Sequence, residues 1–516
     1  MYPGLHARSH PDKPAVIMGA SGQTVTFAQL DERSNRLARL WHEAGLRPGD
    51  HVALFLENHP RYFEVVWAAL RSGLYLTTVN RYLTQEEAGY IVDNSEAQAL
   101  VTSSTLADVA AGLPARAPGC RMHLMMDGAI DGFERYEDAI GSQAPEPLDD
   151  QPLGAYMLYS SGTTGRPKGI LRPLSGRQVE DGDGSLTMLM GVFGIDEKAR
   201  YLSPAPLYHA APLGFSVATT AVGGTVVVME HFDPVDALAF IEQHQVTHSQ
   251  WVPTMFVRML KLPEADRTAY DLSSHQVAVH AAAPCPVPVK ERMIDWWGPI
   301  LMEYYAGTEL NGFTLIDSQQ WLAHKGSVGR PLLGTIHICD DDSVELEAGQ
   351  AGEIYFEQPE VAYVYFKDEA KTSSSQHPEH PNWTSLGDVG FVDEEGWLFL
   401  TDRSSFMIIS GGVNIYPQEI ENLLIGHPAV LDVAVIGVPH PEFGEAVKAV
   451  VQTVDADADA AELEQTLITY AREHLAGYKV PRSVDVVDEL PRLPTGKLYK
   501  RKLRDQYWQD AEGRAI

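Results

Sequence analysis

The 516-residue sequence predicts an α/β protein: a large N-terminal region of mainly parallel, layered sheets flanked by helices, followed by a small α+β C-terminal domain. Three observations carry that reading. The chain is longer than one ordinary core supports, so two or more domains are expected. Up to Thr401, short and nearly continuous apolar runs alternate with amphipathic stretches, as strands buried on both faces do between helices. After Asp402 the pattern changes to a compact unit of about 115 residues, the size of an independent domain.

Taken in order, Thr26 and Gln29 are spaced as a capping box, and Leu30, Leu37, Leu40 and Trp41 come after them at helical intervals, which predicts a helix over Thr26–Gly45. Strands are expected at His51–Leu56, Tyr75–Val79, Ala99–Thr102, Thr225–Met229 and Gln276–Ala281, with helices at Arg61–Ser72 and Pro234–His244. The longest apolar tract, Leu213–Met229, is broken by Thr219, Thr220 and Gly223-Gly224. It reads as helix, turn and buried strand, not as a membrane span. Beyond the boundary, strands are expected at Phe406–Ser410, Val430–Val438, Ala446–Thr453 and Ser483–Leu490, and helices at Pro417–Ile425 and Ala461–Ala476. The Asp-Ala repeat at 455–460 reads as a solvated connection.

Hydrophobic content of 44% with 21% charged residues fits a soluble globular chain. A net charge of −31 disfavours nucleic acid and anionic membranes as partners. An anionic substrate would therefore need local cations, which directs attention to Lys168, Arg403 and Lys497. Cys120, Cys285 and Cys339 lie far apart, which argues against a disulfide framework or structural zinc site and fits a reducing cytoplasm. The N-terminus lacks the apolar core of a signal peptide. A cytoplasmic enzyme without an integral membrane segment is expected. His377-Pro-Glu-His380 reads as a proline-rich loop, not a metal pair, and no G-x-S-x-G elbow surrounds Ser160 or Ser161.

The most informative stretch is Leu158–Ile170, where an apolar run enters a hydroxyl- and glycine-rich tract that closes on Arg166 and Lys168. Glycines permit a tight turn whose consecutive N–H groups form an anion-binding concavity. Ser160, Ser161, Thr163 and Thr164 add hydroxyl donors, and Lys168 adds a point charge suited to phosphate. The G-x-x-x-x-G-K-[ST] loop does not match. Counting from Gly162, its second glycine falls on Pro167, and Gly169 comes after Lys168 where Ser or Thr is required.

The run S-S-G-T-T-G-x-P-K-G over residues 160–169 resembles the phosphate loop of the adenylate-forming enzymes: acyl-CoA synthetases, luciferases and the adenylation domains of peptide synthetases. Five further motifs resemble that family in its order, across residues 10 to 505. The resemblance implies a role for each motif. Ser160 to Gly165 and Lys168 would cradle phosphate. In Pro206–Gly214, His209 would stand near the acyl carboxylate, although a histidine there also suits plain packing. In Val279–Pro284, Ala282, Ala283 and Pro284 would contact adenine. In Glu303–Glu309, Tyr304 and Tyr305 would lie at the nucleotide, Tyr305 beside adenine. Thr308 would donate to the α-phosphate and Glu309 would hold Mg2+, a hard cation that wants oxygen ligands. Ala306 departs from the family's glycine.

In Trp383–Gly390, Asp388 would accept from the ribose hydroxyls, and Arg403 would contact ribose or phosphate; Leu386 stands where the family usually has Thr. Ser410, Gly411 and Gly412 resemble the C-terminal glycine turn that meets the thiol of CoA. Lys497, in Pro494–Lys497, resembles the catalytic lysine that reaches carboxylate and α-phosphate in the transition state. The implied organisation is a 1–401 adenylation domain, a 402–405 hinge and a mobile 406–516 domain. Ser405 stands where the family often has Lys or Asp. Hinges need no particular side chain, so rotation remains available.

The implied activity is an ATP-dependent acyl-CoA synthetase that forms an acyl-adenylate and then a thioester, with ATP, Mg2+ and CoA. Lys497, Thr308, Glu309 and Lys168 would carry the chemistry. His209, Gln250, Trp251, Val252, Ala281 and Gly307 resemble the acyl site of synthetases for fatty or other bulky apolar acids. Three rivals stand beside this activity: an adenylation enzyme loading a carrier protein, a non-catalytic nucleotide-binding relative, and a luciferase-like monooxygenating activity that shares the scaffold but has no specific support in the sequence. The expected partners are a small carboxylic acid, ATP and CoA, and a homodimer is left open.

Overall fold

The computed structural model describes residues 1–160, 166–403, 406–410, 413–440, 443–455, 458–492 and 498–512. Packing divides the chain into two units: Met1–Trp251 with Leu262–Val279 and Ala362–Thr372, and Val252–Lys261 with His280–Val361 and Ser373–Ile516.

The first unit begins with a short helix, Pro3–Ser9; the strands Pro14–Met18 and Thr24–Thr26 come next, then the expected helix, now Phe27–Glu43. Its capping box is closed: Gln29 N donates to Thr26 Oγ1 at 3.3 Å, and Thr26 N donates to Gln29 Oε1 at 2.9 Å. Leu30, Leu37 and Trp41 point into the core. A sheet in the order Glu134–Arg135, Met122–Met126, Ala97–Ser103, His51–Phe55, Tyr75–Val79, Ala155–Tyr156 is parallel throughout. The strands His51–Phe55 and Tyr75–Val79 are buried at every position, which is why they read as unbroken apolar runs.

A further set, His248–Trp251, Arg200–Ser203, Thr225–Val228 and Pro14–Met18, is also parallel. The Leu213–Met229 tract resolves as foreseen: helix Ala210–Ala221, a turn at Gly223 (φ +87°) and Gly224, then the buried strand Thr225–Val228. Helix Pro234–His244 has the expected bounds. Proline stands at its first position, and Asp233 caps the N–H groups of Val235 and Asp236. A small antiparallel sheet of Leu158–Tyr159, Gly169–Leu171 and Val364–Tyr365 carries the hydroxyl-rich loop.

In the second unit, the strands Leu301–Tyr305, Phe313–Asp317, Ser327–Leu333, Leu398–Arg403, Trp383–Val392, Gly352–Glu357 and Thr335–Cys339 are neighbours in that order. All of these pairs are antiparallel. The parallel pattern of the first unit stops here because several connections, such as Ala306–Gly312, are too short for a crossover helix.

The C-terminal part pairs Val413–Ile415, Ile408–Ser410, Gly444–Thr453 and Val430–His440 antiparallel, with Ser483–Val486 added parallel to Gly444–Thr453. Helices Pro417–Leu424 and Ala460–His474 cover one face through Ile420, Leu424, Leu463 and Leu467. Asp459, from the Asp-Ala repeat, caps the second of these on Ala461 N and Glu462 N. A last helix, Lys500–Glu512, was not foreseen; Leu503 anchors it against Ala434, Ile436, Val450 and Leu490.

Candidate active site

Lys168 is placed by the hairpin that carries the hydroxyl-rich loop. Ser160 N donates to Lys168 O at 2.9 Å, and Lys168 N reaches Ser160 Oγ at 3.4 Å. These bonds draw the loop's two ends together; Ser161, Gly162, Thr163, Thr164 and Gly165 lie outside the described residues. The Lys168 ammonium is ion-paired with Asp368. That ammonium, with the Lys371 N–H, holds the Asp368 carboxyl below the usual carboxylate range. Tyr90 O–H donates to Pro167 O at 3.2 Å, and the Arg166 guanidinium lies over the Tyr90 ring at 5.0 Å. Asp368 was missed by sequence reasoning, because nothing local marks an aspartate so far along the chain as the partner of a loop lysine.

In the second unit, Ala281 is buried and begins a turn whose next residue, Ala282, is exposed with φ +74°. Left-handed backbone is costly for alanine and persists where surroundings impose it, a pattern common at ligand-binding sites. Ala283 and Pro284 continue that turn. Tyr304 stacks on Phe313 with ring centroids 4.9 Å apart and planes 10° from parallel. The next residue turns the other way, and Tyr305 O–H donates to Asp388 Oδ2 at 2.7 Å. Asp388 is buried in the strand Trp383–Val392, directly opposite Arg403 in the antiparallel register.

The turn after Tyr305 is close-packed. A Cβ added to Gly307 would lie 2.2 Å from Leu386 Cδ1 and 2.9 Å from Glu309 Oε2, so only glycine passes there without displacement. Leu310 N returns to Gly307 O at 3.1 Å. The Gln358 amide donates to the carbonyls of Leu310 (2.8 Å) and Asn311 (2.6 Å), and Asn311 donates to Thr384 O at 3.0 Å. The turn holding half-buried Thr308 and buried Glu309 is thereby tied to the strand of Asp388.

The residues expected to meet the acyl group divide between the units. In the first unit, His209 stands at the N-terminus of helix Ala210–Ala221 beside the Tyr208 ring, 4.1 Å between centroids. Gln250 and Trp251 are buried in strand His248–Trp251. Trp251 Nε1 donates to Ser249 Oγ at 2.6 Å, and that hydroxyl meets His275 Nε2 at 2.6 Å. In the second unit, Val252 opens helix Pro253–Leu260, Ala281 begins the Ala282 turn, and Gly307 lies in the close-packed turn after Tyr305.

Ser410 ends the strand Ile408–Ser410, paired with Val413 and with Gly444. Gly411, Gly412, Ser405 and Lys497 lie outside the described residues. The chain on either side of 493–497 is fastened. Arg492 and Leu498 form an antiparallel bridge, Tyr499 N donates to Pro491 O at 2.7 Å, and Lys500 pairs with Glu421 at 2.9 Å. His377 and His380 pack their rings on Trp383, at 5.1 and 4.2 Å. Among the described residues no helix is long and apolar enough to cross a membrane.

Comparison with known proteins decides the family. Residues 5–366 match the AMP-binding enzyme family, and residues 419–497 match its C-terminal domain. The chain belongs to the AMP-binding enzyme family. It is 35% identical to a feruloyl-CoA synthase of Amycolatopsis sp, over 98% of both chains. It is 30% identical to the fatty acid–[acyl-carrier-protein] ligase ScoC of Streptomyces coeruleorubidus, over 98% of this chain and 96% of that one. Among solved structures, ATP-bound MatB from Rhodopseudomonas palustris superposes with a TM-score of 0.82 at 28% identity, covering 98% of this chain and 99% of that one. The fold is thus that of the adenylate-forming CoA ligase superfamily, and the chain is an acid–thiol ligase.

Proposed function

We propose that this enzyme is an ATP-dependent acyl-CoA synthetase acting on a fatty or other bulky apolar carboxylic acid. The observation that carries the reading is the Tyr305–Asp388 hydrogen bond, 2.7 Å long, which joins the two motifs expected to flank the nucleoside. The Tyr305 ring lies beside adenine, and Asp388, with Arg403, takes the ribose. The exposed turn at Ala282, Ala283 and Pro284 offers backbone to the flat base. Lys168 exchanges Asp368 for the nucleotide phosphates, assisted by Ser160, Ser161, Gly162, Thr163, Thr164 and Gly165.

The substrate carboxylate attacks the α-phosphorus and pyrophosphate leaves. Thr308 and Lys497 meet the charge that develops, as fixed donors in a water-poor site do most effectively. Magnesium suits Glu309: such an ion takes one or two carboxylates and completes its shell with phosphate oxygens and water. Glu309 is buried, with its Oε2 turned toward Gly307. Glu309 would hold such an ion, whose charge would offset that of the phosphates.

The 406–516 domain then turns about 402–405, withdraws Lys497 and brings Ser410, Gly411 and Gly412 to the adenylate, where the CoA thiol attacks and AMP leaves. His209, Gln250, Trp251, Val252, Ala281 and Gly307 shape the acyl site, and the cytoplasm supplies the substrates. Free CoA is favoured over a carrier protein because the feruloyl-CoA synthase is 35% identical and the carrier-protein ligase 30%. The test is a screen of carboxylic acids of increasing length and bulk with ATP and CoA, reading AMP and thioester by mass. Acetate as the best acid would defeat the substrate assignment. Pyrophosphate exchange without thioester on free CoA would transfer the acceptor to a carrier protein.

A further inference from the structure

Behind the Ala281–Pro284 turn lies a buried charge pair that the reaction does not use. Lys290, on helix Val287–Trp297, has a fully buried side chain, and its ammonium stands 2.5 Å from Glu303 Oε2 in strand Leu301–Tyr305. The Glu303 side chain is 6% exposed. His280 is fully buried, with its Nε2 3.7 Å from the same oxygen. The ammonium also lies over the Trp321 ring at 4.8 Å. Burial pushes the Glu303 carboxyl up against the pull of Lys290. Burial first, and Lys290 second, hold the His280 ring well below its ordinary range, so it is neutral. Such a pair adds little net stability, because desolvation offsets the attraction between its charges. An apolar pair of the same volume would serve a purely structural purpose at least as well.

Its place in the chain supplies a reason for it. His280 is the last residue before Ala281, Lys290 lies at the start of the helix that succeeds the adenine turn, and Glu303 stands two residues before Tyr305. The three side chains meet at one carboxylate oxygen, so both segments are referred to a single point. A charge-assisted hydrogen bond is short and directional where hydrophobic packing is not. We propose that Lys290 and Glu303 are positioning residues, which set the spacing between the Ala281–Pro284 turn and Tyr305 and so preorganise the adenine site; this rests on the nucleotide assignment above.

A positioning pair touches no substrate atom. Its loss therefore weakens nucleotide binding and spares CoA. The experiment uses the full-length enzyme and two variants. Glu303→Gln keeps shape but strands the Lys290 charge. The double variant K290M/E303L replaces the pair by apolar groups of similar size and keeps the fold even if the single variant does not. ATP binding is measured by calorimetry, and KM is measured separately for ATP and CoA.

The double variant is expected to melt close to wild type, to bind ATP about tenfold or more weakly, and to keep the KM for CoA within about twofold, since sub-ångström supports of this kind are worth such factors. Restoring charge as K290R with wild-type Glu303 should recover most of the ATP affinity. Unchanged ATP affinity in a folded double variant overturns the proposal. A wild-type enzyme that binds no ATP would instead overturn the nucleotide assignment on which it rests.

Discussion

The Tyr305 hydroxyl donates to Asp388 Oδ2 at 2.7 Å and joins positions 83 residues apart. The bond holds the carboxylate in one orientation, as the proposed ribose acceptor requires. Tyr305→Phe should raise the KM for ATP about tenfold or more with little change in kcat, the worth of one hydrogen bond to a charged acceptor, about 1.5–3 kcal/mol. Asp388→Ala, which also removes the proposed ribose acceptor, should cost about 100-fold in kcat/KM for ATP. Steady-state kinetics with ATP varied at saturating acid and CoA checks both.

Lys168 and Asp368 form a partly exposed pair, with side chains 31% and 27% accessible, so their bond adds at most about 1 kcal/mol to folding. On the proposed function, Asp368 is the counter-ion that would hold Lys168 until phosphate replaces it. Lys168→Met should lower pyrophosphate exchange about 100-fold, the scale of a lost electrostatic contact in a transition state. Asp368→Asn should leave exchange at wild-type level or raise it. Loss of exchange in the asparagine variant would mean that Asp368 itself contacts the nucleotide or metal.

Gly307 lies where a methyl group would meet Leu386 Cδ1 at 2.2 Å and Glu309 Oε2 at 2.9 Å. Both neighbours are ends of flexible side chains, so Gly307→Ala should fold, at a cost of about 1–3 kcal/mol. Displacing Glu309 should raise the magnesium requirement. Adding Leu386→Ala should return much of the lost stability without restoring the Glu309 position. Thermal melts and magnesium titration of the exchange rate separate the two effects.

Burial, with the nearby His248 ring, holds His275 at about 3. The unfolded chain takes up this proton below about 6.5, whereas the folded chain resists until about 3. This depressed value gives stability that is complete above pH 6.5 and is lost progressively as pH falls toward 3. The upper bound is about 5 kcal/mol. His275→Gln should melt lower at pH 7.5 but lose less stability between about pH 7 and 4. Melting temperatures of both proteins across that interval provide the check.

How much the sequence disclosed depends on the range of the interactions involved. The capping box of Thr26 and Gln29 and the Asp233-Pro234 helix start are settled within four residues, so those elements were legible. Fully buried parallel strands write themselves as apolar runs, and His51–Phe55 and Tyr75–Val79 were found for that reason. Strand direction leaves no such mark, and the antiparallel pairing from Leu301 to Arg403 emerged only from short connections in three dimensions. The helix Lys500–Glu512 escaped because its charged opening hides its apolar anchor, Leu503.

Among the candidate residues, the motifs pointed to Lys168, Tyr305, Glu309 and Asp388, whereas several of the groups that support them stayed hidden. Asp368 lies 200 residues from Lys168, and charged residues such as Lys290 and Glu303 read as surface until burial is seen. Gln358, which fastens the Gly307–Leu310 turn, belongs to no motif and becomes visible only through the two carbonyls it serves.

The register of strand Leu398–Arg403 has a mechanical corollary. Asp402 and Arg403 stand opposite Val389 and Asp388, so the opening residues of the proposed pivot are rungs of the sheet that carries the proposed ribose acceptor. If the 406–516 domain turns about 402–405 as proposed, the rungs beside Asp388 would be strained first. Rotation and a slackened grip on the nucleoside would then be a single stroke, timing the departure of AMP to the turn of the C-terminal domain.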